Sequence, residues 1–185
     1  NITWSSDSKS VATAASDGTS NIIDAESGEV VRQIQASRSR HSAKPVFSSD
    51  GTLMAYSCRD NTLRIWDLVK CQQFSVISIP KTITHITRMK WSPDATRIAL
   101  LAYESSHVSI LDVKSGVIAK NLDCGFTRLY GLAWSPDSKK LYVAQGASIK
   151  RKNGIIQAWD MAASKVEVSL SDKKGGSNYG VMLTP

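Results

Sequence analysis

The chain has 185 residues, 42% hydrophobic and 21% charged, and 23 basic against 16 acidic residues give it a formal charge of +7. At that length the chain can bury a substantial core as one domain. No run of about 18 apolar residues is present to cross a membrane as a helix. Cys58, Cys71 and Cys124 have no paired spacing, which argues against a disulfide framework and for a reducing compartment, cytoplasmic or nuclear.

In chain order, the first unit opens on Trp4-Ser5-Ser6-Asp7, a turn phrase, and continues into a short apolar strand at 11–15. Asp17-Gly18 turns the chain into an alternating strand that closes on Ile23-Asp24. Ser27-Gly28 turns it again into a strand at 30–34. The second unit repeats the order: Phe47-Ser48-Ser49-Asp50, a strand at 53–57, the Asp60-Asn61 turn, a strand closing on Trp66-Asp67, Lys70-Cys71, and a strand at 74–77. The third has Trp91-Ser92-Pro93-Asp94, strands at 98–102 and up to Leu111-Asp112, then Ser115-Gly116 and a strand at 117–122. The fourth has Trp134-Ser135-Pro136-Asp137, strands at 141–144 and up to Trp159-Asp160, then Ala163-Ser164 and a strand at 166–170.

The anchor aromatics Trp4, Phe47, Trp91 and Trp134 lie 43, 44 and 43 residues apart. Such a period, with four short strands in each unit, predicts an all-β propeller built of four-stranded antiparallel blades. No stretch sustains a helical period against the period of two. The five tryptophans all fall on repeat anchors: Trp4, Trp91 and Trp134 in first strands, Trp66 and Trp159 in third strands. Their rings are expected to fill the space between neighbouring sheets, and truncating a fully buried one should cost about 3–5 kcal/mol.

With these residues in place, the chain resembles the WD40-repeat family of β-propellers along nearly its whole length. The second unit carries the likeness best, in Phe47-Ser48-Ser49-Asp50-Gly51 and in Asp60-Asn61-Thr62-Leu63-Arg64-Ile65-Trp66-Asp67. The family's Gly-His pair is missing from every unit, and only two third strands end in Trp-Asp. TolB-like and YncE-like propellers have looser motifs of the same kind. The resemblance implies a hydrogen-bonded staple of which the second unit offers Ser57, Asp60 and Trp66. It also implies a larger ring of about seven blades. The expected repeat units are 1–43, 44–87, 88–130 and 131–178 within one partial propeller. At 179–185 a fifth unit is expected to start, because Leu183-Thr184-Pro185 echoes the anchor phrase. Further blades or a partner are expected to cover the open blade edge.

Alternate turns of a meandering blade emerge at the same end, so the loop leading into each unit shares a face with the turn between its second and third strands. That placement gathers Arg38, Arg40, His41, Lys44, Arg59, Lys150, Arg151, Lys152, Lys173 and Lys174 as a candidate interaction surface, with Lys81 beside them. Two segments dominate, 37–44 and the 148–153 insertion of the fourth unit. Basic loops attract acidic or phosphorylated protein segments, or RNA. Neither segment interleaves aromatics for base stacking, which sets RNA second.

Catalytic patterns are missing. The anchor aspartates Asp7, Asp50, Asp94 and Asp137 belong to separate blades and are expected to cap their own turns. His41 and His85 repeat one another before strand anchors, and His107 sits in a turn. No metal site, cofactor or enzymatic activity is expected. The expected function is a non-catalytic scaffold for protein–protein interaction within a larger assembly. Two alternatives stand beside it: a propeller that contacts RNA in ribosome assembly or translation, and the propeller domain of a larger hydrolase-type enzyme.

Overall fold

The computed structural model describes residues 2–5, 7–15, 19–35, 45–70, 72–83, 85–125, 129–146 and 154–171. These form sixteen strands and the turns between them. Sheet I comprises β1 (Ile2–Trp4), β2 (Ser10–Ala14), β3 (Thr19–Asp24) and β4 (Val30–Gln35). Sheet II comprises β5 (Val46–Phe47), β6 (Leu53–Ser57), β7 (Thr62–Asp67) and β8 (Gln72–Ser78). Sheet III comprises β9 (Ile86–Trp91), β10 (Arg97–Ala102), β11 (His107–Asp112) and β12 (Val117–Asp123). Sheet IV comprises β13 (Leu129–Trp134), β14 (Lys140–Gln145), β15 (Ile155–Asp160) and β16 (Lys165–Ser171). Strand order follows chain order in all four sheets. Two compact units divide the chain, Asn1–Trp91 and Ser92–Pro185.

The anchor phrase folds the same way four times. The hydroxyl of Ser5, Ser48, Ser92 or Ser135 donates to the aspartate two residues on, at 2.6, 2.5, 2.5 and 2.6 Å. The same oxygen accepts the N–H of the residue that opens the second strand: Ser10, Leu53, Arg97 or Lys140. The aspartate accepts a further N–H, from Lys9, Thr52, Thr96 or Lys139. Each anchor aspartate therefore caps its own turn, and the polar groups of a tight bend are satisfied locally.

A second device explains why aspartate closes every third strand although tryptophan precedes it only twice. Asp24, Asp67, Asp112 and Asp160 accept backbone N–H groups of the following turn, from Ser27, Lys70, Ser115 and Ala163. The cap needs a short carboxylate at that place, whereas the residue before it takes no part in the cap, so Ile23 and Leu111 stand where Trp66 and Trp159 do. Every third–fourth strand pair also shifts register there, at Ile22/Ile23, Ile65/Trp66, Ile110/Leu111 and Ala158/Trp159. Such bulges add local twist to the outer strand.

These caps are expected to tie the stability of the fold to pH. The Ser5 and Ser135 hydroxyls hold Asp7 and Asp137 below the usual carboxylate range, as do the Ser27 N–H for Asp24 and the Ser115 hydroxyl for Asp112. At Asp50 and Asp94 partial burial pushes the carboxyl up, but the Ser48 or Ser92 hydroxyl and the turn N–H groups outweigh it. A carboxyl with a depressed folded pKa stabilises the fold above its unfolded value, near 3.9. That contribution is lost as the pH falls through the folded pKa. Tm is therefore expected to hold from pH 7 to about pH 5 and to decline below it. A Tm unchanged down to pH 3 would show that the caps contribute nothing.

Packing follows the strand order. Two of the second strands, β6 and β10, are near-continuous apolar runs in which Met54-Ala55-Tyr56 and Ile98-Ala99-Leu100-Leu101 are buried on both faces. Fourth strands are largely exposed. In the first unit, Ala12, Ile22 and Ile34 of sheet I form a core with Met54, Tyr56, Cys58 and Leu68, and Phe47 and Trp66 pack against it. In the second unit, Leu101, Val108, Ile110 and Leu122 pack with Leu132, Trp134, Leu141, Val143 and Trp159.

The expectation for the aromatics holds unevenly. Trp91, Trp134 and Trp159 are buried, and Trp66 and Phe47 are half-buried, but Trp4 is 59% exposed. Trp134 is covered by side chains of sheet III, and the Trp91 indole N–H donates to Val46 O of sheet II at 3.0 Å. Among the described residues no sheet precedes sheet I, so Trp4 has no such cover.

Candidate interaction surface

Of the ten residues gathered as a candidate surface, only Arg59 lies within the described residues. Arg38, Arg40, His41, Lys44, Lys150, Arg151, Lys152, Lys173 and Lys174 lie outside them. Arg59 is exposed in the turn between β6 and β7, and no ion pair of the described residues holds it. Its neighbour Asp60 is tied up locally. It accepts the Thr62 N–H and hydroxyl, at 3.0 and 2.6 Å, and pairs with Arg64 at 3.1 Å. Partial burial pushes the Asp60 carboxyl up, but these donors hold it below the usual range.

Charge on this side of the first unit is otherwise Lys81, exposed within a tight turn in which the Ile83 N–H donates to Pro80 O. On the corresponding turns of the second unit the described charges are Glu104 and Asp123, both acidic. The positive excess read from the sequence therefore belongs to residues 36–44, 147–153 and 172–185.

The hydrogen-bonded staple is built differently from the expectation. The Trp66 indole N–H donates to the Tyr56 hydroxyl at 2.7 Å, across neighbouring strands. Tyr56 is fully buried, and burial pushes its phenol well above the usual range, so it stays neutral. The indole of Trp66 can reach this phenol because Met54 stands opposite it and Tyr56 lies two residues further along the same face of β6. Sequence reasoning passed over Tyr56 because the family pattern draws attention to Ser57 beside it.

A polar cluster in the second unit was likewise unforeseen. The Asp94 N–H donates to the Ser138 hydroxyl at 3.0 Å, and the Arg97 guanidinium donates to Ser138 O at 2.7 Å. That guanidinium stands 5.0 Å over the Trp134 ring and 3.6 Å from the Asp94 carboxylate. One arginine thus joins the anchor turn of sheet III to that of sheet IV through charge, hydrogen bond and ring. Lys120 adds a link between the same sheets, donating to Met161 O and, at 3.2 Å, to Ala162 O.

Chemically reactive arrangements are sparse. His107 Nδ1 lies 2.9 Å from the Ser106 hydroxyl, and Nε2 lies 3.8 Å from Asp123, all on the surface. Asp123 also accepts the Gly125 N–H, so this trio is bonded to its own turn. Cys124 is buried, and burial, with Asp123 adding to it, pushes its thiol up to about 12. Among the described residues, no group of three or more His, Cys, Asp or Glu could hold a metal ion. Nor is any helix among them long and apolar enough to cross a membrane.

Known proteins place this geometry. Residues 1–46 match the profile of the anaphase-promoting complex subunit 4 WD40 domain, and residues 31–67 match that of the WD domain, G-beta repeat. No curated protein matches the chain. Among solved structures, the β-propeller domain of Cps50 (Swd1) from Myceliophteria thermophila aligns with a TM-score of 0.79 at 14% identity. That alignment covers 99% of this chain and 58% of the other. Hydrazine synthase from Kuenenia stuttgartiensis aligns with a TM-score of 0.75 at 16% identity, over 92% of this chain and 48% of the other. The chain thus spans about half the length of the structures it matches. At these identities the likeness is one of fold.

Proposed function

We propose that the chain, whose residues 1–67 match WD40 profiles and whose sheets align with β-propellers, is a WD40-type, non-catalytic scaffold docking other proteins within a multisubunit assembly. The observation that carries this reading is the WD40 match itself, one of whose two profiles is named for a subunit of a complex. Support comes from the way the repeat spends its polar groups. The anchor serines and the two sets of capping aspartates are all bonded within their own turns. Function then falls to what the loops present, since fold alone does not set it.

The proposed surface is the basic one, with Arg38, Arg40, His41, Lys44, Arg59, Lys150, Arg151, Lys152, Lys173 and Lys174 meeting an acidic or phosphorylated protein segment. The domain arrangement belongs to the same proposal: one partial propeller with repeat units 1–43, 44–87, 88–130 and 131–178, and a fifth starting at 179–185. The cytoplasm or nucleus is the proposed location.

Crosslinked affinity capture from cell extract tests the scaffold reading with the intact chain and a Lys150→Glu, Arg151→Glu, Lys152→Glu variant. A defined set of proteins is expected with the intact chain, and a depleted set with the variant. Recovery of no stable protein partner would overturn the scaffold reading. Recovery of RNA with steep salt dependence would favour nucleic acid at the same loops.

A further inference from the structure

No acidic residue stands between Asp67 and Asp94, and Lys70, Lys81, Arg88 and Lys90 fall in that stretch. Two of these cations lie on β9, where Met89 and Trp91 are buried while Arg88 and Lys90 are exposed. Strand alternation therefore puts Arg88 and Lys90 on one face, about 7 Å apart along the chain, and turns Met89 and Trp91 to the other. Among the described residues no other first strand carries charge: β1, β5 and β13 have none. Gly131 and Ala133 of β13 stand where Arg88 and Lys90 do, counted back from the anchor tryptophan. The Trp91 indole N–H donates to Val46 O of β5, so both cations are presented by a strand that is held in place.

We infer that this face of β9 docks an acidic segment of a partner protein, with Arg88 and Lys90 each receiving a carboxylate; the surface deepens the scaffold reading and rests on it. Charge complementarity sets the sign of the partner, since two like charges share one face in a stretch without acids. Geometry sets its form. Acidic residues two apart in an extended segment repeat the same spacing of about 7 Å, so one strand-like stretch meets both cations. Arg88 can grip a carboxylate through two N–H groups, and Lys90 adds a point charge beside it. The one aromatic of β9, Trp91, is buried on the opposite face and offers no platform for bases, which favours acidic protein over RNA.

Fluorescence anisotropy of the intact chain with a labelled oligoglutamate peptide tests this, with a labelled oligouridylate as the second probe. The peptide is expected to bind, and the Arg88→Gln, Lys90→Gln double variant to weaken it about tenfold with an unchanged circular dichroism spectrum. The charge-keeping Arg88→Lys, Lys90→Arg variant should stay within about twofold of the intact chain, which separates lost charge from a disturbed strand. Lys150→Glu, Arg151→Glu, Lys152→Glu should leave the β9 contribution in place. Peptide binding that falls with the triple variant but ignores Arg88 and Lys90 overturns the inference and leaves the basic loops as the docking surface. Tighter binding of oligouridylate, weakened by the same double variant, overturns it in favour of nucleic acid. Failure of the chain to bind the peptide overturns it as well, while the scaffold reading still stands or falls by its own capture experiment.

Discussion

Trp134→Ala is expected to remove about 3–5 kcal/mol of stability, while Trp4→Ala at the equivalent anchor should cost less than about 0.5 kcal/mol. The two residues share a repeat position and a strand type, so propensity and turn chemistry cancel in the comparison. What differs is cover. Trp134 is 6% exposed within the core of the second unit, and Arg97 stands over its ring. Removing the indole opens a cavity in the core cluster that includes Leu101, Val108 and Leu141, and takes the ring from beneath the guanidinium, which keeps Asp94 and Ser138 O. Denaturant melts followed by far-ultraviolet circular dichroism would measure both variants. Equal losses would show that the anchor acts through its own strand rather than through packing between sheets.

The turn chemistry was legible in the sequence because it is local. A serine two residues before an aspartate can only close on its own bend, and the same four residues recur at each anchor. Strand order followed from the same punctuation. Contacts that join distant positions were not legible. Nothing in the neighbourhood of Arg97 announces Trp134, and nothing near Tyr56 announces Trp66 ten residues on, because both contacts depend on which side chains the register brings together. The same reasoning explains Trp4. Its place in the repeat could be read, but its burial depends on a neighbouring sheet. The candidate basic surface was legible only as charge and loop position, and of its ten residues Arg59 alone can be set against the geometry.

Gly146→Ala is the second large expected effect, costing about 1–3 kcal/mol through overpacking. Gly146 is buried just after β14, and a Cβ there would collide with Tyr130 Cε2 and stand 2.8 Å from Cδ2. The Tyr130 ring thus lies against the glycine backbone, at the point where the first and second strands of sheet IV shift register between Leu129 and Gly131. Here the glycine serves close approach rather than a left-handed backbone, so the loss should depend on the ring and not on the main chain. A double-mutant cycle separates the two. Tyr130→Ala removes the ring, and in that background Gly146→Ala should cost less than about 0.5 kcal/mol, leaving a coupling of about 1 kcal/mol or more. Additive losses would place the strain in the backbone of residue 146 and sink the close-approach account.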